Sequence, residues 1–205
     1  MQEEFSREYW EERYTHHGHG HGAHPNPHLI AEAGELPPGR ALDAGCGEGA
    51  DALWLAARGW QVTAVDIAEA ALERARQHEA AAGPMSGKVE WMQADLTAWV
   101  PPENAFSLVI AHYVHPADAG NAVRQRLAAA VAPGGTLLIV SHHPHDAHSS
   151  AHTNSPGVHV TEERIADGLD PELWHVTVAE ARTRPAPHPG GHDFHDTVLR
   201  AEKRR

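Results

Sequence analysis

Short apolar runs alternate with helical patterns through the middle of the chain. The apolar runs are continuous and do not alternate with polar residues, which predicts strands buried on both faces. Such strands separated by helices predict a parallel sheet with helices packed on its two sides. The predicted strands cover residues 40–44, 61–66, 88–92, 105–111 and 136–140, and the predicted helices cover 49–58, 67–82 and 118–132.

The C-terminal part of the chain follows a different pattern. A helix is predicted over residues 161–169, and two consecutive strands follow it over 173–182 and 196–202, with a turn at 185–191. Two strands with no helix between them predict an antiparallel hairpin at the edge of the sheet.

The N-terminal part contains a segment that cannot form regular structure. Residues 1–15 predict a helix with aromatic side chains on one side, and a short helix is predicted over 28–36. Between them, residues 16–28 hold too much glycine and proline for a helix or strand. We therefore expect an N-terminal helix and a His/Gly-rich arm over residues 1–28, followed by one α/β domain over residues 29–205.

The composition disfavours several classes of partner. The formal net charge of −12 is unsuited to a nucleic-acid backbone, and no apolar run approaches the roughly 20 residues that a membrane span needs. The acidic N-terminus has no signal-peptide pattern, and a single cysteine fits a reducing compartment. These features predict a cytoplasmic protein, monomeric or homodimeric, whose partner is a small-molecule substrate.

A glycine-rich loop lies between the first predicted strand and its helix. The sequence Asp43-Ala44-Gly45-Cys46-Gly47-Glu48-Gly49 places glycine where backbone N–H groups approach a ligand closely. Read as Gly45-x-Gly47-x-x-Ala50, with Asp66 about 20 residues further on, it satisfies the dinucleotide-binding pattern. Read as Asp43-x-Gly45-x-Gly47-x-Gly49, it allows a different cofactor. The loop alone leaves both cofactor classes open.

The second pattern resembles motif I of the class I S-adenosylmethionine-dependent methyltransferases. Four further features share that resemblance: Asp66 after the second strand, Asp95-Leu96 after the third, Pro133-Gly134-Gly135 before the fifth, and the terminal hairpin. Pro25-Asn26-Pro27 and Asp196-Thr197-Val198-Leu199-Arg200 also resemble small bacterial methyltransferases near the tellurite-resistance and thiopurine methyltransferase groups.

The resemblance implies a Rossmann-like α/β fold whose mainly parallel seven-stranded sheet ends in an antiparallel hairpin. It also implies S-adenosyl-L-methionine as cofactor, with Asp66 on the ribose hydroxyls, Ile67 beside the adenine, and Asp95 and Leu96 at the adenine edge. We expect Asp43 to meet the methionine ammonium directly or through a water. The full set of expected cofactor-binding residues is Asp43, Gly45, Cys46, Gly47, Gly49, Asp66, Ile67, Asp95, Leu96 and Ala111.

Three polar residues follow the fourth strand, where ligands bind parallel sheets. His112, Tyr113 and His115 are therefore expected to face the methyl acceptor, with His112 the preferred base. Methyl transfer needs a base only if the nucleophile arrives with its proton. A single histidine at such a position can equally serve as a polar wall residue.

Histidine is unusually abundant. The chain has 19 histidines but only 16 lysines and arginines, and the histidine clusters are predicted at the carboxyl edge of the sheet. Imidazole is a common ligand of Ni, Zn, Co and Cu, so a divalent transition metal on this rim is one hypothesis, and a solvated loop or a pH sensor are others. The candidate metal ligands are His19, His21, His24, His112, His142, His143, His145 and His192.

Together these observations predict an enzyme, a methyltransferase that uses S-adenosylmethionine to methylate a small acceptor. The acceptor is expected to be a thiol or a metal- or metalloid-linked compound, with a transition metal held at the histidine-rich rim. The alternative is a metal-binding or metal-buffering protein on a methyltransferase fold with little turnover, and the third hypothesis is a nucleotide-cofactor oxidoreductase.

Overall fold

The computed structural model describes residues 6–16, 24–114, 120–144, 161–184 and 193–205. The strands of these residues form one seven-stranded sheet in the order β3-β2-β1-β4-β5-β7-β6. The strands are β1 (Arg40–Ala44), β2 (Gln61–Asp66), β3 (Lys88–Gln93), β4 (Phe106–His112), β5 (Val131–His142), β6 (Trp174–Arg184) and β7 (Phe194–Lys203).

Helices precede the sheet and connect its strands. None of those in the described ranges is long and apolar enough to cross a membrane. The helices are α1 (Arg7–His16), α2 (Pro27–Ala33), α3 (Ala50–Ala57), α4 (Glu69–Ala82), α5 (Gly120–Ala130) and α6 (Glu162–Ala166).

The sheet combines a parallel body with an antiparallel edge. Strands β1 to β5 pair in parallel with their neighbours, whereas β7 pairs antiparallel with both β5 and β6. This confirms the predicted fold class. Strands β1 and β2 also have the predicted bounds, because a polar residue or a glycine ends each apolar run.

The prediction of a helix over 118–132 is wrong at its C-terminal end. Helix α5 ends at Ala130, and Val131 already pairs with Phe106 of β4. The cause is Pro133, since the residue before a proline is disfavoured in helical geometry and the chain must extend there. Strand β5 therefore begins before the predicted 136–140 run and continues to His142.

Apolar side chains cover both faces of the sheet. On one face, Val123, Leu127 and Ile165 of helices α5 and α6 pack against the strands. On the other face, Leu29 of α2 and Leu55 of α3 do the same. Because both faces are covered, polar groups reach the sheet mainly at the ends of its strands.

The strand order of the sheet reverses between β1 and β4. From β1 the chain proceeds outward to β2 and β3, and it then returns to β4 on the other side of β1. Connections on opposite sides leave a crevice at the carboxyl ends of these two strands, where open α/β sheets bind their ligands. The glycine loop follows β1 directly and therefore lies at this crevice.

A buried ion-pair network joins helix α2 to the terminal hairpin. The Asp196 carboxylate is fully buried, and its Oδ2 lies 2.9 Å from both His28 Nε2 and Arg184 Nε. Burial alone would raise the pKa of Asp196, but hydrogen bonds from His28 and Arg184 hold it below its usual value. The charged form of Asp196 therefore stabilises the fold.

Asp196→Ala is expected to destabilise the chain by about 2–4 kcal/mol, because it leaves Arg184 partly buried without its carboxylate. Since the pKa of Asp196 is lowered on folding, its contribution is present above the unfolded value of about 3.9 and is lost as the pH falls through the folded value. Urea unfolding at pH 7 and pH 3 measures this. The difference from wild type must shrink at pH 3, and Asp167→Ala, at an exposed position, serves as the matched control.

Candidate active site

The glycine loop adopts backbone geometry that other residues rarely reach. Gly45, Gly47 and Gly49 all have positive φ, at 78°, 53° and 85°. A Cβ on Gly45 would lie only 2.6 Å from a methyl of Val114, so a side chain there would collide as well as strain the turn. The loop is held to β2, since Gly45 and Cys46 both donate backbone hydrogen bonds to the Val65 carbonyl.

Asp43, the penultimate residue of β1, is a buried carboxylate whose hydrogen-bonding capacity is only partly used. The residue is 2% exposed, and one of its oxygens accepts a hydrogen bond from the Ala52 backbone N–H. Its Oδ2 has no hydrogen-bond partner among the described residues. Burial, and then the negative charges of Asp51 and Asp66, raise the pKa of Asp43 well above its usual value. This position therefore favours either a bound proton or a cationic ligand.

Asp66 ends β2 and ties the glycine loop to the start of α4. Its Oδ2 accepts the Gly47 N–H at 2.8 Å and its Oδ1 accepts the Ala68 N–H at 2.9 Å. Burial raises the pKa of Asp66, and these backbone hydrogen bonds oppose the shift. Each carboxylate oxygen can accept a further hydrogen bond, so Asp66 retains capacity for a ligand hydroxyl.

Of the other expected cofactor-binding residues, four follow strands β1, β2 and β3 and one lies in β4. Asp95 Oδ1 accepts hydrogen bonds from the backbone N–H and the hydroxyl of Thr97, so Asp95 caps the turn after β3. Burial raises the pKa of the Cys46 thiol, which therefore stays protonated. Leu96 packs against the core, Ala111 is buried in β4, and the Ile67 carbonyl accepts from Gln93. Their contacts with a cofactor stay predictions.

His112 and Tyr113 lie at the end of β4 with different partners. His112 Nδ1 is 2.7 Å from Asp51 Oδ2. Tyr113 has a φ of 53°, unusual for a residue with a side chain, and its ring stacks on His142 with centroids 4.6 Å apart. Its hydroxyl accepts a hydrogen bond from Arg184, and burial followed by the negative charge of Asp196 raises the Tyr113 pKa.

Two side chains of helix α1 contact the glycine loop and the start of α4. The Glu11 carboxylate accepts the backbone N–H groups of Glu69 and Ala70 at 2.7 and 3.0 Å, at the start of α4. The Tyr14 hydroxyl lies so close to Gly47 that an added Cβ would be 3.0 Å away. Burial, followed by the charge of Asp66, raises the Tyr14 pKa, so the phenol stays neutral.

Of the eight histidines predicted as metal ligands, the structure describes four: His24, His112, His142 and His143. Within the described ranges, no group of three or more His, Cys, Asp or Glu side chains could hold a metal ion. His24 is exposed, and His112 and His142 are engaged with Asp51 and Tyr113. The metal site stays a prediction. His19, His21, His115, His145 and His192 lie outside the described residues.

The sequence patterns do not identify Asp51, Glu11 or Arg184 as site residues. Asp51 lies within the predicted helix over 49–58, and Glu11 lies within the predicted helix over 1–15. Nothing local marks these residues, since the partners of Asp51 and Glu11 are 61 and 58 residues away along the chain. An acidic residue directly after a glycine loop would have been the one available signal for Asp51.

Comparison with known proteins agrees with this geometry. A family model described as a methyltransferase domain matches residues 41–135. TehB from Haemophilus influenzae superposes with a TM-score of 0.69 over 97% of this chain and 67% of its own, at 13% identity. Over residues 41–135 in sequence, and over nearly the whole chain in fold, this protein is similar to methyltransferases.

Two curated relatives match about half of this chain. An uncharacterized methyltransferase of Mycobacterium tuberculosis is 37% identical over 101 residues, which is 49% of each chain. A trans-aconitate 2-methyltransferase of Paracidovorax citrulli is 36% identical over 119 residues, 56% of this chain and 43% of the relative. The chain thus spans about half the length of the curated relatives it matches.

Asp43→Asn is expected to stabilise the ligand-free chain at neutral pH. The amide can still accept from Ala52, but it removes a charge that is costly to bury. Because the folded pKa of Asp43 is raised, wild-type stability falls as the pH rises from the unfolded value through the folded one. Thermal unfolding from pH 5 to pH 8 should therefore show a flatter profile and a higher Tm at pH 8 in the variant, by about 2–4 °C per kcal/mol recovered. An unchanged profile would contradict this account of Asp43.

Glu11→Ala is expected to loosen the packing of α1, because the backbone N–H groups at the start of α4 lose the carboxylate that accepts their hydrogen bonds. We expect this contact to stabilise the docking of α1 by about 1 kcal/mol. Amide hydrogen exchange should quicken about fivefold in the peptide covering α1 and at Glu69 and Ala70. Glu12→Ala, at the exposed neighbouring position, is the matched control and should leave both regions unchanged. Equal exchange in the two variants would show that Glu11 does not hold the helix.

Proposed function

We propose that this chain transfers a methyl group from S-adenosylmethionine to a small-molecule acceptor at the carboxyl ends of β1 and β4. The observation that carries the proposal is the buried Asp43 carboxylate, whose Oδ2 has no hydrogen-bond partner among the described residues. A carboxyl group at this depth is stabilised by a bound proton or by a cation, and the methionine ammonium of the cofactor would supply the cation.

The residues around Asp43 fit the rest of the cofactor. The positive end of the α3 dipole lies beside the glycine loop and suits the methionine carboxylate. Asp66 has free acceptor capacity for the ribose hydroxyls. The positive φ of Gly45 and Gly47 brings the backbone of the loop close to any ligand in the crevice. These features support S-adenosylmethionine over a ligand that carries no cation.

When bound, S-adenosylmethionine supplies a methyl group activated by a sulfonium. The work of the chain is then to hold the acceptor in line with that methyl at about 3–3.5 Å and to exclude water. Tyr113, whose backbone is fixed in an unusual conformation, and His142 form a stacked pair beside this position. We expect the faces of these two rings to form one wall of the acceptor site.

A small acceptor suits the charges of the chain. Its formal net charge of −12 disfavours a nucleic-acid acceptor. At the end of the hairpin, Arg184 lies between the rings of Tyr113 and Phe194, 5.9 and 4.7 Å from their centroids. A planar or thiol-bearing small molecule would find apolar surface and hydrogen-bonding groups side by side here.

Isothermal titration with S-adenosylhomocysteine tests the cofactor assignment. Asp43→Asn should weaken binding about 10- to 100-fold at pH 8, the loss expected for one hydrogen bond between charged groups. Because the pKa of Asp43 is raised, the wild-type affinity should increase with pH as this carboxyl loses its proton, whereas the variant should not change. Asp167→Asn is the matched control. Failure of the wild type to bind, or equal affinity in both variants, would overturn the proposal.

A further inference from the structure

The histidine at the end of β4 is held by a carboxylate from α3. His112 Nδ1 lies 2.7 Å from Asp51 Oδ2, and the two side chains are 6% and 16% exposed. The other carboxylate oxygen, Asp51 Oδ1, accepts the backbone N–H of Asn26 at 2.6 Å. Asp51 is thereby fixed from both sides, so the plane of the His112 ring is fixed as well.

This hydrogen bond determines which nitrogen of His112 carries the proton. A carboxylate only accepts hydrogen bonds, so the neutral imidazole places its hydrogen on Nδ1 and keeps a lone pair on Nε2. Nε2 is buried and makes no hydrogen bond to a described residue. A buried polar atom without a partner is unfavourable, and a hydrogen bond from a bound ligand would satisfy it.

The position of His112 in β4 places this lone pair near Asp43 and the glycine loop. Ile110 of β4 pairs with Asp43 of β1, and His112 lies two residues further toward the carboxyl edge on the same face. Asp51 stands in the first turn of α3, immediately after the glycine loop. Both members of the pair therefore border the crevice in which the methyl group would be delivered.

We infer that Asp51 is a positioning residue that orients His112 as the general base, and that the acceptor is a protic nucleophile. The inference rests on the proposed methyl transfer and narrows its acceptor to compounds with an ionisable O–H, N–H or S–H group. A soft metalloid or a halide, which brings no proton, falls outside this class.

The step balances as a displacement coupled to proton transfer. A lone pair of the acceptor atom forms the new bond to the methyl carbon, while the sulfur–methyl bond breaks and its electron pair stays on sulfur. The acceptor's proton passes to His112 Nε2, giving an imidazolium whose Nδ1–H still donates to Asp51. Release of the methylated product lets the proton leave to solvent.

Charged and aromatic groups from three elements lie near His112. Asp51 of α3 is its direct partner, and Asp43 of β1 lies close enough to Asp51 for the two charges to interact. Strand β5 contributes His142, which stacks on Tyr113. Asp51 fixes the orientation of the imidazole, as the carboxylate does in other Asp–His pairs that act as bases.

A purely structural role for the pair makes different predictions. If the hydrogen bond only joined α3 to β4, loss of Asp51 would lower stability and would affect all acceptors equally. If Asp51 orients a base, its loss changes the tautomer of His112 and affects only acceptors that must lose a proton. The two roles can therefore be separated by measurements on one variant.

Nitrogen NMR of the full chain bound to S-adenosylhomocysteine reads the tautomer without turnover. In wild type, His112 Nε2 should show the chemical shift of an unprotonated ring nitrogen and Nδ1 that of a protonated one. In Asp51→Asn the shifts should move toward the Nε2–H form, while His78, which contacts the Glu48 carbonyl, should not change. A protonated Nε2 in neutral wild-type His112 would overturn the inference.

Turnover measurements distinguish acceptors that must lose a proton from acceptors that need not. With a series of substituted phenols and thiophenols, Asp51→Asn and His112→Gln should lower kcat about 10²- to 10³-fold for members that are protonated at the assay pH. For members already ionised, and for iodide, the loss should stay below about threefold. Equal losses for both classes, or turnover of iodide alone by wild type, would overturn the inference.

Two controls separate this inference from the proposed function. His175→Gln and Asp167→Asn change the same residue types at exposed positions and should leave kcat unchanged. S-adenosylhomocysteine should bind Asp51→Asn within about threefold of wild type. Loss of binding in wild type itself would refute methyl transfer, whereas retained binding with the wrong His112 tautomer would refute only the base.

Discussion

The structure depends on a carboxylate buried at the end of a central strand. Strand β1 has neighbours on both sides and helices on both faces, so its last polar side chain, Asp43, cannot reach water. Two further acids, Asp51 and Asp66, lie close enough to raise its pKa. Such a cluster is costly in an isolated fold, and the cost falls when a cation binds. The glycine loop follows this carboxylate directly in the chain.

Segments that precede the sheet in the chain complete this crevice. Glu11 of α1 binds the start of α4, Asn26 binds Asp51, and His28 binds Asp196 of the hairpin. Each contact is made to a group at the carboxyl edge of the sheet. The N-terminal elements are thus joined to the residues that would contact ligand, and a change at the crevice can alter their docking.

The elements of this fold could be predicted from the sequence more readily than the contacts at its site. The bounds of β1 and β2 follow from continuous apolar runs. The glycine pattern and the acid after the second strand mark Asp43, Gly45 and Asp66 as candidate site residues. The pairing of His28 with Asp196 could not be predicted, because 168 residues separate them along the chain. Only the sheet order, which no local pattern contains, brings such residues together.

His28 and His112 show why the number of histidines does not predict their chemistry. His28 shares the Asp196 carboxylate with the Arg184 guanidinium, and its Nε2 is used to join α2 to the hairpin. His112 shares the Asp51 carboxylate with the backbone N–H of Asn26. This bond uses Nδ1 and leaves Nε2 without a hydrogen-bond partner among the described residues. Of the two, His112 therefore has the ring nitrogen that is left for a neighbouring molecule.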